Sequence, residues 1–150
     1  FSFEFIGDGA MKEYLKKEKI RMNLENLNIS DSVSRTNIKD IIKKFDIGLV
    51  PLRQFPPYKR VIPSKIFDLA ALGVPILLGV EGEASDILSE YKAGESFIPE
   101  DSESFHKALT QMKNNLIRDP SFYTVGLNRI TKEFNHSRLA SIYEEIWKEL

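Results

Sequence analysis

The sequence contains no cysteine, which excludes disulfide bonds and thiolate metal sites. Histidine is almost as scarce: His106 and His136 are far apart and no second histidine lies near either, so a metal site is not expected and both are interpreted as surface imidazoles. The longest apolar run, residues 69–80, is interrupted by Gly73 and Pro75 and is too short to span a bilayer. These absences leave an ordinary globular domain.

Negative charge is absent from one interval of the sequence, although the whole chain is almost neutral. The net charge is −1, which argues against binding to nucleic acid, since that needs a basic face. Between Asp46 and Asp68, however, no acidic residue occurs. The same interval holds the basic residues Arg53, Lys59, Arg60 and Lys65. This local positive excess favours an anionic ligand.

The stretch from Ile62 to Gly79 is the most informative part of the chain. It predicts a helix of about nine residues that Ser64 caps through its side chain and Gly73 ends. The apolar run from Val74 to Leu78 then predicts a central parallel strand that is covered on both faces.

Lys65 stands at the first position of this helix, where the macrodipole disfavours a cation. Two explanations stay open. In one, Asp68 pairs with Lys65 on a solvated face. In the other, a phosphate binds at the helix N-terminus and the lysine assists it.

The rest of the chain alternates strands with helices, which predicts an α/β fold with a mostly parallel sheet and helices on both faces. Further strands are predicted over residues 1–6, 26–29, 46–52 and 94–98. Helices are predicted over residues 10–20, 38–45 (capped by Thr36) and 84–91, then from a cap at Asp101 or Ser102, from Pro120 to about Phe134, and along the C-terminus. Ligands of such sheets bind at the carboxyl ends of the strands. Those ends are residues 7–9, 51–64 and 79–83, so the glycine-rich and basic features are expected at one edge.

Two apolar groups near the C-terminus have structural interpretations. Phe122, Leu127, Ile130 and Phe134 are predicted to be core residues. The last helix carries a stripe at helical spacing that is predicted to pack against the domain, with docking on another domain as the alternative. Its members are Leu139, Ile142, Tyr143, Ile146, Trp147 and Leu150.

Four segments together resemble the C-terminal half of retaining, nucleotide-sugar-dependent glycosyltransferases of the family 4 type, which have the GT-B fold. The segments are Phe5-Ile6-Gly7-Asp8-Gly9, residues 46–52, residues 63–76 and Gly82-Glu83-Ala84. The resemblance covers nearly the whole chain, and the segment 63–76 is its most specific part.

The resemblance implies a role for each matching residue. The family's Glu-x7-Glu motif falls on Arg60 and Asp68: Asp68 is expected to accept from the ribose hydroxyls, while Arg60 is a departure that puts the role of the first Glu in doubt. Ser64 and Lys65 are expected to face the diphosphate, and Ser34 the base. Gly7, Gly9, Gly82 and Glu83 are expected to line the rest of the donor site.

The function that follows is transfer of a sugar from a UDP- or GDP-sugar to a glycan or lipid-linked acceptor, in capsule or lipopolysaccharide assembly. Lys65 and Arg60 would stabilise the leaving diphosphate without a metal or cofactor, which agrees with the absence of an Asp-x-Asp motif. The enzyme is expected in the cytoplasm, with peripheral association at the inner face of the membrane.

The resemblance also implies that residues 1–150 are a fragment, inactive alone. The chain lacks an initiator Met, and the family's first C-domain strand and helix and its N-terminal acceptor domain would precede Phe1. Two alternatives stay open: a nucleotide-sugar 2-epimerase of the same architecture, and an α/β ligand-binding module without chemistry.

Overall fold

The computed structural model describes residues 1–149, apart from the side chains at positions 35, 136, 139, 142 and 149. The chain forms two compact units, Phe1–Ile41 and Ile42–Leu150. Strands and helices alternate through most of the chain, and every strand pair is parallel. The predicted fold class, an α/β arrangement of parallel sheets flanked by helices, is therefore confirmed.

The first unit contains a two-stranded parallel sheet. Its elements are β1 (Phe3–Ile6), α1 (Lys12–Arg21), β2 (Leu27–Ser30) and α2 (Arg35–Ile42). In the register of the sheet, Phe3 faces Leu27 and Ile6 faces Ser30. Among the described side chains of this unit none is fully buried, which is consistent with so small a sheet.

The predicted cap of α2 is wrong. The helix begins at Arg35, so Thr36 lies inside its first turn. Ser34 precedes the helix, and its hydroxyl accepts a hydrogen bond from the backbone N–H of Asn37 at 3.3 Å. Ser34 therefore satisfies one of the free N–H groups at this helix start.

The second unit contains a three-stranded parallel sheet in the order β3 (Gly48–Pro51), β4 (Ile76–Gly79), β5 (Gly94–Ser96). All four residues of β4 are buried, which confirms the predicted central strand. A short 3₁₀ helix at Pro56–Arg60 follows β3. The helices are α3 (Lys65–Ala71), α4 (Glu83–Tyr91), α5 (Ser102–Arg118), α6 (Thr124–Glu133) and α7 (His136–Glu149).

The core of this unit lies between the sheet and helices α3 to α6. Leu127 and Ile130 are buried as predicted, whereas Phe134 is half-buried and Phe122 is 38% exposed. Tyr123 is the largest fully buried side chain. Its hydroxyl donates to Glu95 Oε1 and accepts from Asn115 Nδ2, both at 2.9 Å, so the buried polar group is satisfied. Burial raises the pKa of this phenol well above its usual range.

The C-terminal stripe does not pack as predicted. In α7 Trp147 is 75% exposed, Tyr143 65% and Ile146 50%. The predictions for Leu139, Ile142 and Leu150 fall outside the described residues. None of the described helices is both long and apolar enough to cross a bilayer.

Candidate functional site at the carboxyl ends of β3 and β4

The loops after β3 and β4 leave the sheet side by side. Pro51 and Gly79 are register partners at the last position of the two strands. One residue later, the N–H of Leu52 donates to the carbonyl of Gly79 at 2.9 Å. The expected convergence of these two loops at one edge is therefore confirmed.

Gly82 lets the loop after β3 touch the turn after β4. Its φ of +86° and ψ of −147° are conformations that glycine adopts readily and other residues do not. A β-carbon at this position would overlap the backbone carbonyl oxygen of Lys59. The two segments thus meet backbone to backbone, and only glycine fits there.

A cavity of about 320 Å³ opens beside this contact. Its polar lining consists of Arg53, Gln54, Tyr58, Lys59 and Glu81. Lys59 Nζ lies 3.2 Å from Glu81 Oε2, which ties the 3₁₀ helix to the end of β4. Arg53 makes no ion pair within the described part of the chain, so the cavity keeps one uncompensated positive charge. A second cavity of the same volume adjoins it and is lined by Gly82, Ser85, Ser96 and Ser104 among others.

Helix α3 differs from its prediction in two respects. It has seven residues rather than about nine. Ser64 precedes it with helical backbone angles (φ −57°, ψ −24°), and its side chain makes no capping hydrogen bond, so the predicted side-chain cap is wrong. Instead the Ser64 carbonyl accepts from the N–H groups of Phe67 and Asp68 at 3.0 and 3.2 Å.

Lys65 is the first residue of α3, as predicted, and its side chain is exposed. Asp68 and Ser64 are exposed as well. No ion pair joins Lys65 to Asp68 in the described structure, so the alternative in which they neutralise each other is not what the fold adopts. Both charged groups stay accessible to a ligand.

The other predicted residues of this unit flank the same loops. Arg60 ends the 3₁₀ helix and is exposed. Glu83 is the first residue of α4 and is also exposed. The carbonyl of Gly82 accepts from the N–H of Asp86 at 3.0 Å and so opens the helix. Arg60, Gly82 and Glu83 therefore lie on the two adjacent loops.

Gly7, Gly9 and Ser34 belong to the first unit. Gly7 follows β1 and donates to the carbonyl of Ser30 at 3.2 Å, which places it beside the end of β2. Gly9 has nothing within 4 Å of where a β-carbon would lie, so packing does not require glycine there.

An ionic cluster next to Gly7 was not foreseen from the sequence. Lys12 Nζ lies 2.7 Å from Asp8 Oδ1 and 2.5 Å from Asp31 Oδ1, and the Ser32 hydroxyl donates to Asp8 at 2.9 Å. The hydrogen bond from Lys12 holds the pKa of each carboxyl below its usual value, and the two carboxylates raise the pKa of Lys12. The cluster joins the segments that follow β1 and β2.

The site residues predicted from the sequence and the residues that line the two cavities overlap little. Of the predicted site residues only Gly82 lines either of the two cavities. Arg53 and Lys59 carried a signal, because they belong to the acid-free interval directly after β3. Tyr58 and Glu81 carried none. Among the described residues no group of His, Asp and Glu side chains is placed to hold a metal ion.

The parallel sheets, their flanking helices and a polar site at the strand ends define a Rossmann-like domain, one half of a GT-B fold. A family model described as "Glycosyl transferases group 1" matches residues 1–124. The chain therefore belongs to the group 1 glycosyltransferase family. A search of curated proteins finds no match.

Three solved structures illustrate proteins of similar fold. HepE from Anabaena, in complex with UDP and glucose, is 15% identical with a TM-score of 0.73; the match covers 99% of this chain and 41% of HepE. Sucrose-phosphate synthase from Thermosynechococcus elongatus is 14% identical with a TM-score of 0.72, over 98% of this chain and 39% of the synthase. The pneumococcal O-GlcNAc transferase GtfA, in complex with UDP and GlcNAc, is 10% identical with a TM-score of 0.66, over 99% and 29%. This chain thus spans less than half the length of each of these proteins.

Proposed function

We propose that the protein containing this chain is a retaining glycosyltransferase of the family 4 type that moves a sugar from a UDP- or GDP-sugar to a glycan or lipid-linked acceptor. In this proposal residues 1–150 form the donor-binding domain, and a further domain binds the acceptor. The enzyme works in the cytoplasm at the inner face of the membrane, in capsule or lipopolysaccharide assembly. Family membership supports the reaction type, and two neighbours of similar fold are in complex with UDP.

The observation that carries the proposal is the pair of exposed cations Arg60 and Lys65, unpaired among the described residues, which lie between the end of β3 and helix α3. The loop after β3 brings four basic residues, Arg53, Lys59, Arg60 and Lys65, to the carboxyl edge of the sheet. In the described structure only Lys59 among them is paired with a carboxylate. Departure of a nucleoside diphosphate builds negative charge on its phosphate oxygens, and Arg60 and Lys65, the two cations nearest the start of α3 in the sequence, are assigned to stabilise that charge.

Each site residue has a defined role in this proposal. Lys65 and Arg60 contact the diphosphate and stabilise it as it leaves. Asp68, an exposed acid in the first turn of α3, accepts hydrogen bonds from the ribose hydroxyls. In the second unit Ser64, Gly82 and Glu83 complete the donor site, and the roles of Gly7, Gly9 and Ser34 in the first unit stay predictions.

Replacing Lys65 with alanine in the full-length enzyme tests the catalytic role. We expect the transfer rate to fall about 100-fold, because a charge-stabilising contact is removed where charge develops. The free energy of unfolding should change by less than about 0.5 kcal/mol, because the side chain is exposed and makes no ion pair in the described structure. Lys107→Ala, which removes an exposed lysine on α5, is the matched control for charge and should leave the rate unchanged. Equal losses of rate in both variants, or a loss of rate that follows a loss of stability, would contradict the role.

Replacing Asp68 with alanine tests the ribose contact. Calorimetric titration of UDP and GDP should show affinity lower by about tenfold, the loss expected for hydrogen bonds to a charged acceptor. Asp68→Asn keeps one acceptor oxygen, so its nucleotide affinity should lie between those of the wild type and Asp68→Ala. Unchanged affinity in Asp68→Ala would remove this residue from the donor site. Formation of a 2-epimerised sugar nucleotide in place of transfer would favour the epimerase alternative.

A further inference from the structure

The cavity between the 3₁₀ helix and the end of β4 has no role in the reaction as proposed. Its lining includes Lys59, which precedes Arg60 in the chain, but neither Lys65 nor Asp68. Three of its polar groups, the Arg53 guanidinium, the Gln54 amide and the Tyr58 hydroxyl, make no hydrogen bond within the described part of the chain. Unpartnered polar groups that converge on a concave surface are typical of a ligand site.

The size of the cavity limits what it can hold. Its volume of about 320 Å³ is near the lower end of the range for small-molecule sites. A volume of this size accommodates a single sugar ring. One wall is apolar: Val80 is buried, and Phe55 and Tyr58 form an edge-to-face pair with ring centroids 5.3 Å apart. Such a wall suits the C–H face of a sugar ring.

The charge of the cavity indicates the kind of sugar. Lys59 is neutralised by Glu81 at 3.2 Å, so the charge of Arg53 is left over. A guanidinium presents two parallel N–H groups that match the two oxygens of a carboxylate. A neutral hexose would leave this cation without a counter-charge, and a hexose with a carboxylate would supply one.

We propose that this cavity holds the sugar of an acidic donor, a hexuronate, and that Arg53 determines specificity by pairing with its carboxylate. The Tyr58 hydroxyl and the Gln54 amide bind the ring hydroxyls. This inference rests on the proposed function and adds the substrate class to it. The enzyme would thus transfer a uronic acid in preference to the corresponding neutral hexose.

The test compares donors that differ only at the carboxylate. UDP-glucuronate, UDP-glucose and UDP are titrated into the full-length protein, and GDP-mannuronate, GDP-mannose and GDP form a second set. We expect the uronate donor to bind about tenfold more tightly than the neutral one, as a charge-assisted pair predicts. Arg53→Gln should remove this preference and leave the affinity for the nucleoside diphosphate unchanged. Arg53→Lys keeps the charge without the paired N–H groups and should retain only part of the preference.

Lys107→Gln, a loss of one positive charge on α5 away from the cavity, is the control and should keep the full preference. The thermal midpoint of Arg53→Gln should equal that of the wild type, since the side chain is exposed. Equal affinity of the wild type for both members of a pair would overturn the inference. So would an Arg53→Gln variant that loses affinity for UDP or GDP alone, because Arg53 would then serve the diphosphate.

The inference and the proposed function fail in different ways. If the nucleotides bind but no uronate preference exists, only the inference fails. If no nucleotide binds, the proposed function fails, and free glucuronate and glucose then test the cavity by saturation-transfer NMR. A glucuronate signal that disappears in Arg53→Gln would show that the cavity selects a uronate even though no nucleotide binds. The absence of any signal would overturn the inference.

Discussion

Replacing Gly82 with alanine tests the contact that holds the loop after β3 against the turn after β4. The substitution meets two penalties. With φ at +86° and ψ at −147°, a residue with a β-carbon is strained by about 1–3 kcal/mol. The new methyl group would also overlap the carbonyl oxygen of Lys59, and because that atom is backbone it cannot rotate away. Overpacking of this kind costs about 1–3 kcal/mol, so a total loss of about 2–6 kcal/mol is expected.

Two other glycines separate these penalties. Gly73 has a φ of +73° but nothing within 4 Å of its would-be β-carbon, so Gly73→Ala should show strain alone, about 1–2 kcal/mol. Gly9 has neither feature, and Gly9→Ala should stay within about 0.5 kcal/mol of the wild type. Urea denaturation followed by circular dichroism gives the free energy of unfolding for all three variants.

The free energies of unfolding of the three variants show whether the loop after β3 is held against the turn after β4. If Gly82→Ala costs more than the roughly 3 kcal/mol that strain alone can explain, the loop and the turn are in contact as the structure has them. Nucleotide affinity should then fall in Gly82→Ala, because the loop that carries the basic residues is displaced. If Gly82→Ala is no worse than Gly73→Ala, the overlap with Lys59 is relieved at no cost. The loop would then not be fixed against the turn.

Two further predictions concern stability. Lys12 holds the pKa values of Asp8 and Asp31 below the usual value of 3.8, so these carboxylates stabilise the fold above pH 3.8. That stabilisation is lost as the pH falls through their lowered pKa values. Because the pKa of Lys12 is raised above 10.5, the stabilisation that its charge gives persists above pH 10.5 and is lost as the pH rises through the raised value. Asp8→Asn should therefore lower the urea midpoint at pH 7 but not at pH 2, and an equal effect at both pH values would contradict the ionic cluster. Tyr123→Phe removes the buried hydroxyl from its two partners and should cost about 1–3 kcal/mol of unfolding free energy, whereas a change below about 0.5 kcal/mol would show that water replaces it.

The order of strands and helices could be predicted because it depends on local pattern. The apolar run before Gly79 predicted a buried central strand, and all four residues of β4 are buried. Asp101, one of the two caps predicted for α5, accepts a hydrogen bond from the N–H of Ser104 at 2.8 Å. The cap at Ser64 could not be predicted, because the backbone there is already helical and the side chain cannot reach back to a free N–H. Trp147 belongs to an apolar stripe at helical spacing, but such a stripe alone does not show whether its side chains are buried, and Trp147 is exposed.

The cavity was out of reach of sequence reasoning for a different reason. Its walls come from segments far apart in the chain: Arg53 to Lys59, Val80 with Glu81, and Pro99. Only the parallel pairing of β3, β4 and β5 brings them together. The sequence showed which interval is basic. It did not show that Lys59 pairs with Glu81 and that Arg53 therefore remains the unpaired cation of the cavity, because this pairing depends on the fold.

Hydrogen exchange of the full-length protein with and without saturating UDP or GDP shows whether the nucleoside diphosphate binds at the loops after β3 and β4. A nucleoside diphosphate seated on the two adjacent loops should slow exchange in residues 53–68 and 80–86. Lys65→Ala should reduce that protection while Lys107→Ala leaves it intact. Protection confined to helices α5 to α7, or no protection at saturating nucleotide, would contradict the account.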